Sequence, residues 1–121
     1  MSPFSRSDLD RFVAADPHGP VVMLNLLRFA PGGAETYRQY IERFDSSGVR
    51  ERYGVTIVYG GAGHPSLVAG DGGDWDMVLL VRYPSRRHFV DMIGDPDYQE
   101  FEHLRAEAVS TAVLQPTVPA S

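Results

Sequence analysis

The apolar positions between Val21 and Thr117 change period several times along the chain, and each change marks an element. Val21 to Phe29 is apolar on both alternating sets, Val22, Leu24 and Leu26 on one and Met23, Leu27 and Phe29 on the other, which predicts a central strand covered on both faces. Ala30 to Gly33 make a turn, and Ala34 to Tyr53 reads as a helix with a stripe of Tyr37, Tyr40, Ile41, Phe44 and Val49, broken in its last third by Ser46, Ser47 and Gly48. Val55 to Tyr59 and Asp76 to Tyr83 are β-branched and aromatic runs, so a second and a third strand are predicted, with residues 66–69 extending the hairpin between them. Pro84 stops the third strand, and Ser85 caps a helix carrying Phe89, Met92 and Ile93 on one side. Gly94 ends that helix; Asp95-Pro96 starts the next, with Tyr98, Phe101, Leu104 and Ala108 at helical spacing. Ser110 to Gln115 is a short last strand closed by Pro116.

In chain order this is βαββαβ, which predicts an α+β, ferredoxin-like domain with an antiparallel sheet. Such a sheet has one helix-covered face and one that needs a partner, so a homodimer is expected. Ahead of it, Ser7 caps a helix over Asp8 to Ala15 with Leu9, Phe12 and Val13 on one face, and Asp16-Pro17-His18-Gly19-Pro20 breaks it. The division expected is an N-terminal helical extension over 1–20, the ferredoxin-like domain over 21–117 and a tail over 118–121.

The length of 121 residues allows one domain with one core. A net charge of −5 has the wrong sign for general attraction to phosphates, so nucleic acid is not expected as a partner. Zero cysteines exclude disulfides, thiolate metal sites and a cysteine nucleophile. The segment MSPFSRSDLDRF lacks the basic and apolar regions of a secretory signal, and no apolar run approaches the roughly 20 residues that span a bilayer. A soluble, cytoplasmic protein without membrane contact is expected.

Motifs add little. The glycines from Gly60 to Gly73 join two strands and match no phosphate-binding pattern, so they read as a hairpin loop. Asp71, Asp74 and Asp76 begin like a calcium loop, but Arg82 stands where the closing glutamate belongs. His18, His64, His88 and His103 form no metal-ligating spacing, and no serine lies in a nucleophile elbow. His64 stands out for sharing a loop with Trp75, whereas Glu100, Glu102 and Glu107 read as a solvated helix face.

Topology offers more. In the order 4-1-3-2, with the first and third strands read as parallel neighbours, one sheet edge gathers Arg28, Arg82, Arg86, Arg87 and His88, with Tyr37 nearby. Cations beside helix N-termini oppose the macrodipole. They therefore either pair with Glu35, Asp91 or an acidic residue of a second subunit, or hold a carboxylate or phenolate ligand, Arg28 being the most inward. Asn25, a lone amide inside the first strand, needs a hydrogen-bond partner, either in a packing network or facing a pocket.

The segments VVMLNLLRF, ETYRQYIERF, WDMVLLVRYPSRRHFVDM and DPDYQEFEHLRAEAV together resemble the domain-of-unknown-function 1330 family of the dimeric α+β barrel superfamily, most specifically at Asn25, Tyr37, Tyr40 and the Asp-Pro-Asp-Tyr turn ending in Tyr98. The resemblance covers about Val21 to Thr117. It implies two ferredoxin-like units whose sheets close into a barrel, with a cavity in each subunit, but no established activity. Relatives in that superfamily include cofactor-independent monooxygenases, isomerases, dehydratases and haem enzymes. The N-terminal extension and the long glycine-rich hairpin depart from the ordinary form.

The function expected is transformation of a small apolar or aromatic anionic substrate in an intrasubunit cavity, of the monooxygenase, isomerase or cyclase type, with no metal and no organic cofactor. Asn25, Arg28 and His64 are the candidate catalytic residues, and Tyr37, Tyr40, Trp75 and Arg82 the candidate substrate-binding ones. His64 is expected at the sheet edge opposite Arg28. The alternatives are a binding module or structural dimer without catalysis, and a haem protein, which requires a histidine facing the cavity.

Overall fold

The computed structural model describes residues 3–120; Met1, Ser2 and Ser121, the ends of the expected extension and tail, lie outside the described residues. The elements are α1 (Arg6–Ala15), β1 (Val21–Phe29), α2 (Gly33–Ser46), α3 (Val49–Arg52), β2 (Thr56–Ala62), β3 (Met77–Tyr83), α4 (Arg86–Ile93), α5 (Pro96–Gln99), α6 (Glu102–Ala108) and β4 (Val109–Thr117). The strands form one four-stranded sheet in the order β2-β3-β1-β4. This is the α+β, ferredoxin-like arrangement.

The order agrees with the sequence reading, but the strand direction does not. β1 pairs β3 antiparallel, Val21 opposite Tyr83 and Leu27 opposite Met77. The physical reason lies in the connections: the α2–α3 crossover returns β2 in the direction of β1, and the hairpin then reverses β3. Arg28 is therefore at one end of the sheet, while Arg82, Arg86, Arg87 and His88 are at the other. The expected cluster of cations does not form.

Along β1 the pleat separates two environments. Val21, Met23, Asn25 and Leu27 are buried under the helices, whereas Val22, Leu24 and Leu26 on the opposite face are half-buried. Their neighbours on that open face are Val78 and Leu80 of β3 and Val113 of β4. A strand apolar on both faces is thus covered by its own chain on one face only.

The helical layer is built on close approaches. A Cβ on Gly33 would stand 1.9 Å from the Ala108 carbonyl oxygen, and the Ala30 amide donates to that same oxygen at 2.9 Å. Only glycine lets the start of α2 rest on the end of α6. The break expected near residues 46–48 is real: Gly48 adopts φ +83°, a left-handed conformation that separates α2 from α3. The helix restart after Gly94 is itself interrupted, giving α5 and α6 on either side of Glu100 and Phe101. Ser85 caps α4 and Asp95 caps α5, as their positions suggest, but Ser5 rather than Ser7 caps α1, because the helix begins at Arg6.

Helix α1 buries no residue fully and is fastened from outside. Phe4 and Phe12 meet Phe89 edge-on, and Arg86 donates to the Phe12 carbonyl at 3.1 Å while lying over the Phe12 ring. Among the described residues, no helix is long and apolar enough to cross a membrane.

Candidate functional site

Between the buried face of the sheet and the helices lies a cavity of about 730 Å³, within the range of small-molecule sites. Its sheet wall is made by Asn25, Leu79, Val81 and Tyr83; α2 contributes Tyr37, Tyr40 and Phe44, and α4 contributes Phe89 and Met92. Tyr98 of α5 and Glu102 and Arg105 of α6 close the side next to α2. The i, i+3 stripe of α2 makes Tyr37 and Tyr40 neighbours, their ring centroids 5.4 Å apart. Tyr40, Phe44, Tyr98 and Phe101 then pack as tilted and edge-on pairs, a geometry that suits the ring quadrupoles.

The buried polar groups at the centre of this wall are hydrogen-bonded in pairs. Arg105 Nη2 donates to Asn25 Oδ1 at 3.1 Å, and Asn25 Nδ2 donates to the Met23 carbonyl at 3.3 Å. The lone amide in β1 therefore has a partner on each side, one of them a cation reaching across from α6. Tyr40 and Tyr98 share a hydrogen bond of 2.9 Å between their hydroxyls.

Burial fixes the protonation of the ring of tyrosines. It raises the Tyr37 hydroxyl above its ordinary value, with the Arg105 charge opposing. Tyr40 is pushed well above by burial and by the Tyr98 oxygen beside it. Burial also raises Tyr83 and Tyr98, the latter held back by its hydrogen bond with Tyr40 and by Arg105. These phenols stay neutral donors at physiological pH, next to a guanidinium that is always charged. Such a wall can bind a carbonyl, phenolate or carboxylate oxygen carried by an apolar body. Among the described residues no group of His, Asp and Glu is arranged to hold a metal ion.

Of the residues singled out from the sequence, Asn25, Tyr37 and Tyr40 meet in this cavity. The other four lie elsewhere. Arg28 alternates to the open face of β1, where its guanidinium donates to the Gly73 carbonyl at 2.6 Å and stacks 4.1 Å from the Trp75 ring centroid. Trp75 is thus a platform for Arg28 and not a cavity wall. Arg82 is exposed on the open face of β3, opposite Val22. His64 is exposed too. It emerges at the Arg28 end of the sheet, not the opposite edge, because the Gly63 amide bonds to the Asp76 carbonyl and the Asp76 amide to the Leu27 carbonyl. Asn25, Arg28 and His64 do not meet.

Sequence reasoning missed Arg105 and Glu102. Glu100 and Glu107 are exposed as a solvated face should be, but Glu102 is half-buried and lines the cavity. A signal was available: Tyr98, Glu102 and Arg105 follow one another at i, i+4 and i+7, the spacing of a single helical face.

The fold and this cavity define an α+β protein of ferredoxin-like topology with a tyrosine-walled internal site held by an Asn–Arg pair. The chain is similar to the crystal structure of the RPA0582 protein of unknown function from Rhodopseudomonas palustris, with 35% identity over 98% of this chain and 95% of that one and a TM-score of 0.83. It belongs to the family of that protein. A putative antibiotic biosynthesis monooxygenase from Bacteriodes thetaiotaomicron shares the fold at 17% identity, covering 85% of this chain and 91% of its own, with a TM-score of 0.62. The hydroxynitrile lyase from Passiflora edulis does so at 13% identity, covering 87% and 98%, with a TM-score of 0.60. No family model matches the sequence, and no curated protein matches it.

Proposed function

We propose that the cavity binds a small, largely apolar molecule through one anionic or carbonyl oxygen and transforms it without a metal or an organic cofactor. The observation that carries this reading is the Arg105 guanidinium, anchored on Asn25 in a cavity whose buried wall is mostly aromatic rings, neutral phenols and aliphatic side chains. A cation oriented in an apolar, low-dielectric space stabilises negative charge far better than one in water. Two proteins of the same fold bear the names of small-molecule enzymes, a putative monooxygenase and a hydroxynitrile lyase. At their identities they support only the capacity of the fold to host such chemistry. The resemblance to the domain-of-unknown-function 1330 family is part of the same proposal, supported by the position of its motif residues Asn25, Tyr37, Tyr40 and Tyr98 around one cavity.

Benzoate and salicylate are suitable probes. Titrated calorimetrically, they should bind the native protein, and Arg105→Met should weaken them by about 10- to 100-fold, the worth of one charge-assisted hydrogen bond. Equal affinity in the two proteins would remove the reading. Binding without conversion of any member of a carbonyl and phenol panel would leave a carrier instead of an enzyme.

The same proposal includes a homodimer. Val22, Leu24, Leu26, Val78, Leu80 and Val113 form a continuous apolar surface on the open face of the sheet, the kind of patch that marks an interface. A second copy of the same sheet is the natural cover. Sedimentation should give twice the chain mass, and Leu26→Asp should halve it.

A further inference from the structure

Resting on the reading of the cavity as a small-molecule site, we propose that Glu102 is its proton-transfer residue and that the substrate is a carbonyl compound with an acidic C–H bond, isomerised by removal and return of one proton. Glu102 opens α6 and lines the cavity one helical turn before Arg105 and four positions after Tyr98 of α5. It is close enough to both for its charge to act on the Tyr98 hydroxyl and for Arg105 to act on it.

Two features separate it from the other carboxylates. Of the two carboxylates that line the cavity, Asp45 is occupied by Arg50, whereas Glu102 makes no ion pair among the described residues. Burial also pushes its carboxyl above the usual glutamate value, only partly offset by nearby positive charge, Arg105 included, which makes it a stronger base than a solvated glutamate. Other titratable groups at the cavity are less suited. His103 and Asp45 line it from exposed positions, and Asp45 is held by Arg50 at 3.0 Å.

The chemistry balances without a further reactant. The Glu102 carboxylate takes a proton from the carbon beside the carbonyl, the C–H electron pair becomes the new C=C bond, and the carbonyl π pair moves to oxygen. The resulting enolate oxygen faces Arg105, which Asn25 holds in place. Glu102 then returns the proton to carbon, or to another position of the conjugated system, and substrate and product are isomers. Nothing is oxidised or reduced.

Phenylpyruvate, a small aromatic anion with an acidic methylene, is the probe. In deuterium oxide, the native protein should accelerate exchange of its methylene protons, read by proton NMR, while calorimetry reports its binding. Glu102→Gln should lower the exchange kcat by about 100-fold or more, the usual share of a general base, with binding changed by no more than about threefold. Its Tm should hold or rise, since a burial-strained charge has been removed, and Glu102→Asp should recover part of the rate. Phenylpyruvate that binds but exchanges equally in native protein and Glu102→Gln overturns this inference and leaves the anion-binding cavity standing. Failure to bind at all overturns both.

Discussion

Arg105 on α6 and Asn25 in the middle of β1 are joined across the cavity by a 3.1 Å hydrogen bond, although 80 positions separate them in the chain. Each side chain answers a difficulty of the other. An amide inside an apolar strand is costly without a partner, and a guanidinium at an apolar wall needs an acceptor to fix its direction. Losing one partner leaves the other unsatisfied. Asn25→Leu and Arg105→Met should each destabilise by about 1–3 kcal/mol in denaturant unfolding, and the double variant should cost clearly less than their sum. Strict additivity would show that the bond contributes nothing.

The Tyr40–Tyr98 pair obeys the same logic with neutral groups. Both hydroxyls are buried and bonded to each other at 2.9 Å. Tyr98→Phe should cost about 1–3 kcal/mol by stranding the Tyr40 hydroxyl, and adding Tyr40→Phe should recover part of it. The spectrum provides an independent check. Because burial raises Tyr37, Tyr40, Tyr83 and Tyr98, their phenolate absorbance should appear only above the ordinary tyrosine range and together with unfolding. Loss of a hydroxyl from Tyr40 or Tyr98 should not change that coupling for the remaining rings.

What could be read from the chain was whatever depends on local periodicity. The β1 limits Val21 and Phe29, the caps Ser85 and Asp95 and the break at Gly48 are all set by neighbours in sequence, and the structure has them there. Asn25, Tyr37 and Tyr40 reached the cavity for the same reason, since a pleat or a helix stripe fixes which way they point. The errors concern direction and distance. Placing Arg28 near Arg82 required the relative sense of β1 and β3, which the hairpin after β2 decides and no single strand reveals. Arg28 also sits at an even position of β1, with Leu24 and Leu26, so alternation from Asn25 already turned it to the other face. Glu102 and Arg105 were hidden among the charges of α6, whose cavity-facing stripe becomes visible only when counted from Tyr98.

Gly33 offers a steric test of how α2 is seated. With the Ala108 carbonyl 1.9 Å from the position of an added Cβ, Gly33→Ala must push α2 away from α6. The backbone atom in the way cannot rotate aside, so a cost of about 1–3 kcal/mol or more is expected from overpacking. The displaced helix carries Tyr37 and Tyr40, so anion binding in the cavity should weaken as well. A variant with native melting and native benzoate affinity would show that the contact is not rigid.

The acid limb of stability should carry the signature of Asp95. Its carboxylate accepts from the Tyr53 hydroxyl at 2.5 Å, from the Asp97 amide at 2.8 Å and from Arg52 at 2.7 Å, and these bonds hold its pKa down at about 2. In the unfolded chain the group returns to about 3.9. A depressed carboxylate contributes stability that is complete above the unfolded value and disappears as pH falls through the folded one. The loss attributable to Asp95 should therefore fall between about pH 4 and pH 2. Asp95→Asn keeps the size of the side chain but removes the charge that Arg52 and the α5 amides favour. Compared by thermal melting across that window, the native protein should lose stability more steeply than the variant, and the gap between them should be widest above pH 4. Parallel curves for the two proteins would mean that the Tyr53–Asp95–Arg52 contacts leave the carboxyl as it is in water.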